Sequence, residues 1–151
     1  MTLEEEFKVR FRSSIHKARI NLYVTNSFLL ERFEQSLKSA GITGPQFNIL
    51  RILRGQETRM LSISGIKERM LDKSSDVSRL VDKLVVKKLV ERKENQNDRR
   101  LKDISINQNG LDLLTSIDNC EKAMDDYLKM LSDDEVETLN RILDKIHYQK
   151  N

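Results

Sequence analysis

The hydrogen-bond donors between residues 74 and 83 are the side chains of this sequence with the clearest chemical potential. They are Ser74, Ser75, Ser78, Arg79 and Lys83. Hydroxyl, ammonium and guanidinium groups donate to phosphate oxygens and to the edges of bases, so this set suits a groove of a nucleic acid. A second polar run, 93–100, contains Asp98, Arg99 and Arg100. An extended segment that offers a guanidinium can enter the minor groove, which is too narrow for a helix.

Two helices separated by a tight break must carry the first set of donors. Apolar residues in the second helix recur at i, i+3, i+4, i+7 and i+8, which places them on one face and the donors on the others. These apolar residues are Val77, Leu80, Val81, Leu84 and Val85. The spacing predicts helices over Ile63–Met70 and Ser74–Lys88. Asp72, Ser74 and Ser75 are alternative N-caps for the second helix.

The second polar run lies between two segments that have strand character. Leu89–Arg92 and Leu101–Ile106 are short and contain β-branched residues, and the second alternates between apolar and polar positions. They predict a β-hairpin whose exposed tip is basic. Residues 56–62 precede the two short helices and are interpreted as a polar link to the helix before them.

The rest of the chain predicts long helices. Residues 3–38 carry an apolar stripe at steps of three and four, which predicts one amphipathic helix about 50 Å long. Gly41 suits a left-handed helix end, and Thr43–Gln46 forms a capping box for a helix that stops near Gly55. Asn107 and a second capping box, Ser132–Glu135, open two C-terminal helices. The predicted fold is mainly α with a small β-hairpin wing, a winged helix-turn-helix lobe on a helical dimerisation platform.

The charge distribution and composition limit the class of protein. The chain of 151 residues has a net charge of +3, but residues 67–102 carry +5 and residues 103–151 carry −6. A basic middle segment favours contact with a polyanion. The longest apolar runs of the chain are far shorter than the roughly 18 residues that cross a bilayer, so no membrane span is expected. The single cysteine, Cys120, cannot form an intramolecular disulfide, and the N-terminus lacks the pattern of a secretory signal, which favours a cytoplasmic protein.

The other function classes have less support in the sequence. A Gly-rich phosphate loop, a His-Glu-x-x-His motif, a Cys-x-x-Cys motif and a nucleophile elbow are all absent, so we expect neither an enzyme nor a cofactor. His16 and His147 lie far apart and no cluster supports a metal site, while Cys120 fits a small apolar filler. Most of the aromatic residues suit a dimer core, although they could also line an effector cavity: Phe7, Phe11, Tyr23, Phe28 and Phe47. A helical adaptor that binds proteins without binding DNA is the alternative.

Five segments, in their order along the chain, resemble the MarR family of bacterial transcription regulators. They are Thr43-x-x-Gln46-Phe47, the stretch Asp76–Leu84, Leu89–Arg92, Asn97–Arg100 and the helix entry at Gly110. The resemblance covers roughly residues 30–146. Its most specific part is the stretch Asp76–Leu84 followed about 18 residues later by Asp-x-Arg.

The resemblance implies a homodimer whose N- and C-terminal helices interdigitate and whose two winged lobes bind a pseudo-palindromic operator in double-stranded DNA. It matches Ser74, Ser75, Ser78 and Arg79 to the recognition helix that faces bases and phosphates. Arg100 matches the minor-groove arginine, Asp98 the carboxylate that braces the wing, and Arg99 a variable position that is often basic. The whole of 1–151 is then one MarR-like unit, with a platform of residues 3–38 and 108–148 and a DNA-binding lobe of residues 43–106.

The expected function is that of a ligand-responsive repressor, released from DNA when a small, partly apolar, phenolic or anionic compound shifts the spacing of the two lobes. One position departs from the resemblance. The family usually has Gly between the recognition helix and the first wing strand, where this chain has Lys88. A left-handed conformation there costs a non-glycine residue about 1 kcal/mol, so either the turn differs or Lys88 bears the strain.

Overall fold

The computed structural model describes residues 3–8, 10–95 and 102–148, and for Cys120 and Glu121 it describes the backbone alone. The chain divides into two compact units, Met1–Ile117 and Asp118–Asn151. The elements in chain order are α1 (Leu3–Phe7), α2 (Ser14–Ser39), α3 (Gly44–Arg54), β1 (Met60–Ser62), α4 (Ile63–Arg69), α5 (Val77–Val86), β2 (Val90–Glu94), β3 (Lys102–Ile106), α6 (Gln108–Asp125) and α7 (Asp133–His147). This architecture, mainly helical with a small antiparallel sheet, confirms the predicted fold class.

The prediction of one continuous helix over residues 3–38 is wrong. Helix α1 ends at Phe7, Lys8 has a positive φ of 52°, and α2 begins after Ser13. The Ser13 hydroxyl accepts a hydrogen bond from the amide of His16 (3.1 Å), and His16 Nδ1 accepts one from the amide of Arg12 (3.2 Å). The apolar spacing continues across the break, but the Ser13 hydroxyl satisfies the His16 amide in the first turn of a new helix and so marks its start.

Helices α3, α4 and α5 enclose the core of the first unit. Their fully buried side chains include Ile49, Leu53, Ile66, Val81 and Leu84. The predicted start of α3 at Thr43 is confirmed, and the amide of Thr43 donates to Gln46 Oε1 at 3.1 Å. Gly41 has a φ of 71°, as predicted for the residue that ends α2 in the left-handed region.

The sheet has three strands in the order β1-β3-β2, and both pairs are antiparallel. The predicted β2–β3 hairpin is confirmed, but the interpretation of residues 56–62 as a link is wrong because Met60–Ser62 forms β1. Strand β3 is therefore central, and its residues 103–106 are all buried in spite of their alternating pattern. Buried Asp103 accepts a hydrogen bond from Asn95 Nδ2 at 2.9 Å.

Lys88 occupies the left-handed position between α5 and β2, with a φ of 57°. The amide of Lys88 donates to the carbonyl of Val85 (2.9 Å) and that of Leu89 to the carbonyl of Leu84 (3.0 Å), the two bonds of a Schellman ending. The carbonyl of Lys88 accepts from the side-chain amides of Asn107 (3.0 Å) and Asn109 (3.2 Å). The turn thus keeps the geometry that suits glycine, and Lys88 bears the strain.

The start of α6 packs against this turn. The predicted N-cap is confirmed, since Asn107 Oδ1 accepts from the amide of Gly110 at 3.1 Å. A Cβ on Gly110 would lie 2.4 Å from the carbonyl oxygen of Leu89, so the close approach requires glycine. In the second unit, α7 begins at the predicted capping box, where the Ser132 amide donates to Glu135 Oε2 (2.8 Å) and the Glu135 amide donates to Ser132 Oγ (3.4 Å).

Candidate nucleic-acid interface

Helix α5 begins at Val77, three residues later than the sequence predicts. Its N-cap is Asp76, whose Oδ1 accepts a hydrogen bond from the amide of Arg79 at 3.1 Å. Asp72, Ser74 and Ser75 are therefore not the cap, and the predicted placement of Ser74 and Ser75 on the helix is wrong. Asp76 itself was a signal that the sequence offered for this start, because aspartate is among the preferred N-cap residues.

Ser74 and Ser75 lie in the turn before α5, where Asp72 organises them. Asp72 Oδ1 accepts from both the amide (2.9 Å) and the hydroxyl (2.7 Å) of Ser74, and Oδ2 accepts from the hydroxyl of Ser75 (3.2 Å). These hydrogen bonds favour the charged carboxylate and hold the pKa of Asp72 below its ordinary value, the side-chain bond from Ser74 being the largest cause. The turn is thus held by local polar contacts.

The turn is also anchored to α3. The amide of Leu71 donates to Asn48 Oδ1 at 3.0 Å, and Lys73 Nζ donates to the carbonyl of Glu68 at 2.6 Å. Leu71 itself is 84% exposed. The turn is therefore held to α3 by a hydrogen bond from the backbone amide of Leu71 and to α4 by the Lys73–Glu68 contact, and not by packing of the Leu71 side chain.

The exposed side of α5 brings together most of the predicted donors that the structure describes. Ser78 and Arg79 are exposed, and so is Lys83 one turn further on. A shallow groove beside them joins the turn, the helix and the start of α3, and its lining residues are Pro45, Ser75, Asp76, Arg79, Leu80 and Lys83. Val77, Val81 and Leu84 on the opposite face are buried. The buried face fixes the helix while the cationic side remains open to solvent.

Polar side chains that the sequence pattern did not indicate hold the β2–β3 hairpin together and tie it to α5. Lys102 Nζ lies 3.2 Å from Glu94 Oε1, directly across the strand pair. Arg92 Nη2, on β2, donates to Asp82 Oδ1 on α5. The predicted tip residues Asp98, Arg99 and Arg100 lie outside the described residues. Sequence spacing gives no signal for the Asp82–Arg92 contact, because it depends on how the strand packs on the helix.

Other residues singled out from the sequence have different surroundings. Phe47 is a core residue and contacts Phe33 edge to face at 5.1 Å, whereas Phe7 and Phe11 line a hollow of about 370 Å³ between α1 and α2. The remaining lining residues of the hollow are Arg10, His16, Ile20 and Val24.

Across the described ranges, no three His, Cys, Asp or Glu side chains are grouped to hold a metal ion. None of the described helices is long and apolar enough to span a membrane. The side chain of Cys120 lies outside the described residues.

A helix pair joined by a tight turn, followed by a two-stranded hairpin at the C-terminal end of the second helix, defines a winged helix-turn-helix protein. The model of the MarR family matches residues 40–101, which include α3, the helix pair and most of the hairpin. The second helix of the pair, α5, is the recognition helix of this class.

Relatives over most of the chain agree with this match. The transcriptional repressor MprA of Escherichia coli (strain K12) is 26% identical over an alignment 151 residues long, and the alignment covers 91% of this chain and 85% of MprA. The HTH-type transcriptional repressor MdtR of Bacillus subtilis (strain 168) is 33% identical over 103 residues, or 68% of this chain and 65% of MdtR. The crystal structure of a mutant MarR from E. coli complexed with operator DNA matches with a TM-score of 0.72 and 25% identity, covering 97% of this chain and 99% of that one.

The chain therefore belongs to the MarR family, and it is a DNA-binding transcriptional regulator with a winged helix-turn-helix fold.

Proposed function

We propose that this regulator is a homodimeric repressor that binds a pseudo-palindromic operator, with one recognition helix in the major groove of each half-site. The observation that carries the proposal is the exposed side of the recognition helix, where Ser78, Arg79 and Lys83 are open to solvent while Asp76 fixes the start of the helix. A helix about 10–12 Å across fits the major groove, which is about 12 Å wide.

The donors divide into two roles by their chemistry. Arg79 carries a planar guanidinium that can donate two parallel bonds to a guanine edge, and we assign it to base contact. Ser74, Ser75 and Ser78 carry short hydroxyls that suit phosphate oxygens or base edges close to the helix start. Lys83, a flexible point charge, suits a phosphate.

The tip of the wing belongs to the proposal through the family resemblance. Arg100 is assigned to the minor groove, Asp98 to bracing the wing, and Arg99 to the neighbouring phosphates. The narrow minor groove of A·T-rich DNA has an enhanced negative potential, which attracts an inserted arginine.

The homodimer is supported by apolar faces that the described part of each unit leaves exposed. In the first unit, Ile15 on α2 is 80% exposed and Phe28 is 40% exposed; in the second, Ile146 on α7 is 57% exposed. Helix α7 has no buried residue although one of its faces is apolar. We therefore retain residues 3–38 and 108–148 as the dimerisation platform and 43–106 as the DNA-binding lobe. Light scattering at micromolar concentration should give about 35 kDa; a mass of about 18 kDa would contradict the dimer.

We further propose that a small, partly apolar, phenolic or anionic compound controls the spacing of the two lobes. The hollow between α1 and α2 supports such a ligand, because its apolar lining lies beside the cationic side chain of Arg10. A ligand acts only through its different affinity for the two spacings, and a 100-fold preference supplies about 2.7 kcal/mol.

A regulator that needs only binding requires no catalytic residue, so we assign no enzymatic activity, and we place the protein in the cytoplasm with the DNA it binds.

Operator binding tests the proposal directly. An operator selected from random duplexes is titrated with wild-type protein, Arg79→Ala and Arg100→Ala, at several salt concentrations. Each substitution should weaken binding by about 1–3 kcal/mol without unfolding the protein. Arg141→Ala, which removes an exposed arginine on α7, is the charge-matched control and should leave operator affinity unchanged.

The same titration separates this function from the alternative of a helical adaptor. An adaptor would show binding to proteins that is insensitive to salt and to the loss of the arginines. Unchanged operator affinity in both Arg79→Ala and Arg100→Ala would remove the winged-helix mechanism from consideration.

A further inference from the structure

Asp82 lies in an unexpected place for an acidic residue. It follows Arg79 by three residues and precedes Val86 by four, so the three side chains form one row along the exposed side of the recognition helix. The side chain of Asp82 is 58% exposed. A bare carboxylate there would repel the phosphates of any DNA that Arg79 contacts.

The carboxylate of Asp82 is paired with a cation from the wing. Arg92 Nη2 donates to Asp82 Oδ1, and the side chain of Arg92 is 44% exposed. Arg92 lies in the middle of β2, where its register partner on β3 is Ile104. The pair therefore joins the exposed side of the recognition helix to the first strand of the wing.

Apolar packing contributes little to that connection beyond the first residue of β2. Val90 is buried, but the following four residues of the strand are exposed. From Arg92 outward, the strand is tied to β3 by backbone pairing and by the Glu94–Lys102 contact at 3.2 Å. Asn95 then donates to buried Asp103 at 2.9 Å. A rotation of the recognition helix can thus reach the middle of β2 through the Asp82–Arg92 pair.

We propose that Asp82 and Arg92 are positioning residues of the DNA interface: their ion pair fixes the angle between the recognition helix and the wing, so that both engage one operator half-site together. The inference rests on the proposed DNA-binding function. Asp82 acts through Arg92 and not through a base, and Arg92 acts through the angle of the wing and not chiefly as a phosphate contact.

The direction in which Asp82→Asn changes operator affinity distinguishes a positioning role from a simple effect of charge. Asp82→Asn removes a negative charge beside DNA, so electrostatics alone predicts tighter binding. Loss of the wing angle predicts weaker binding. Glu91→Gln, at an exposed position on the same strand, removes the same charge without breaking the pair and is the matched control. Lys93→Gln is the control for Arg92→Gln, because each removes one exposed cation from β2.

The experiment measures affinity for the selected operator and for a random duplex, hydroxyl-radical footprints, and thermal unfolding at one protein concentration. We expect Asp82→Asn and Arg92→Gln each to weaken operator binding about fivefold to tenfold and to lose protection at the outer ends of the footprint. The controls should keep the full footprint. The exchanged double variant, Asp82→Arg with Arg92→Asp, should return to within about threefold of wild type, since it restores the pair in reverse.

Any of four results would overturn the inference. Asp82→Asn could tighten binding as Glu91→Gln does, the exchanged variant could fail to recover, or Asp82→Asn could change the preference at a single base pair, which would make Asp82 a reader of bases. Equal losses in operator affinity and in thermal stability, with an unaltered footprint, would also count against it. Failure of the wild-type protein to prefer an operator over a random duplex would instead remove the proposed function itself.

Discussion

The strained turn at Lys88 allows a stability prediction in which one substitution should improve the protein. With a φ of 57°, Lys88 adopts a left-handed conformation that costs an L-residue about 1–2 kcal/mol relative to glycine. Glycine gives back about 0.4–1 kcal/mol, because it loses more backbone entropy on folding. The net effect of Lys88→Gly should be a gain of about 0.5–1 kcal/mol in the free energy of unfolding.

The turn offers a control that isolates the backbone. Lys88→Ala removes the side chain but keeps a Cβ in the left-handed conformation, so its stability should equal that of wild type. Both variants retain the carbonyl that accepts from Asn107 and Asn109, at 3.0 and 3.2 Å. The difference between glycine and alanine at this position therefore reports strain and not lost contacts.

Urea denaturation at one fixed protein concentration is the appropriate assay, because the stability of a dimer depends on the concentration of its protomers. With a slope of about 2 kcal/mol per molar urea, the expected gain moves the midpoint upward by about 0.25–0.5 M. A midpoint for Lys88→Gly at or below that of Lys88→Ala would refute the reasoning. It would show that the surrounding hydrogen bonds leave no strain for glycine to relieve.

Three further substitutions test the packing described above by the same assay. Leu84→Ala should cost about 2–5 kcal/mol, since Leu84 is fully buried beneath the recognition helix; a loss below about 1 kcal/mol would contradict that burial. Gly110→Ala should lower the free energy of unfolding. Alanine gains roughly 1 kcal/mol over glycine in a helix, but the new Cβ would lie 2.4 Å from the carbonyl oxygen of Leu89, and this clash should cost more than the gain; a stabilised variant would contradict the close contact between Gly110 and Leu89. Ser132→Ala should cost about 1 kcal/mol through loss of the α7 cap, with the exposed Ser116→Ala as a control.

Local chemistry allowed much of the fold to be predicted from the sequence. Thr43, Asn107 and Ser132 start helices where capping preferences place them, because the interaction spans only three residues. The apolar spacing of the recognition helix likewise identified the buried Val77, Val81 and Leu84, since a helix has one period.

The wrong predictions arise where alternatives compete or where distant residues decide. Asp76 and Ser74 are both good N-cap residues, so cap preference alone does not choose between them; in the structure Asp76 caps the helix, and Val77 after it is buried. Ser13 interrupts an apolar spacing that by itself predicts a continuous helix. Strand β1 has three residues, too few for a pattern, and exists because β3 offers it an unpaired edge.

The candidate site was predictable in its composition more than in its geometry. The cationic and hydroxyl residues of 74–83 were evident from the sequence, and Arg79 is exposed as expected. The Asp82–Arg92 pair was not evident, because its partners lie ten residues apart on different elements. Such contacts follow from the angle between a strand and a helix, which residue spacing does not encode.

The pairing of β1 with β3 has a consequence for synthesis of the chain. Leu61 pairs with Ile104, 43 residues later, and the whole helix-turn-helix lies inside the loop that this pairing closes. Closing this 43-residue loop costs chain entropy, and the cost comes before the favourable contacts of the central strand β3 can form. On the ribosome, the winged helix-turn-helix therefore stays incomplete until residue 106 has left the exit tunnel. A transcript truncated before that point yields a chain that lacks the central strand β3 and cannot compete for the operator.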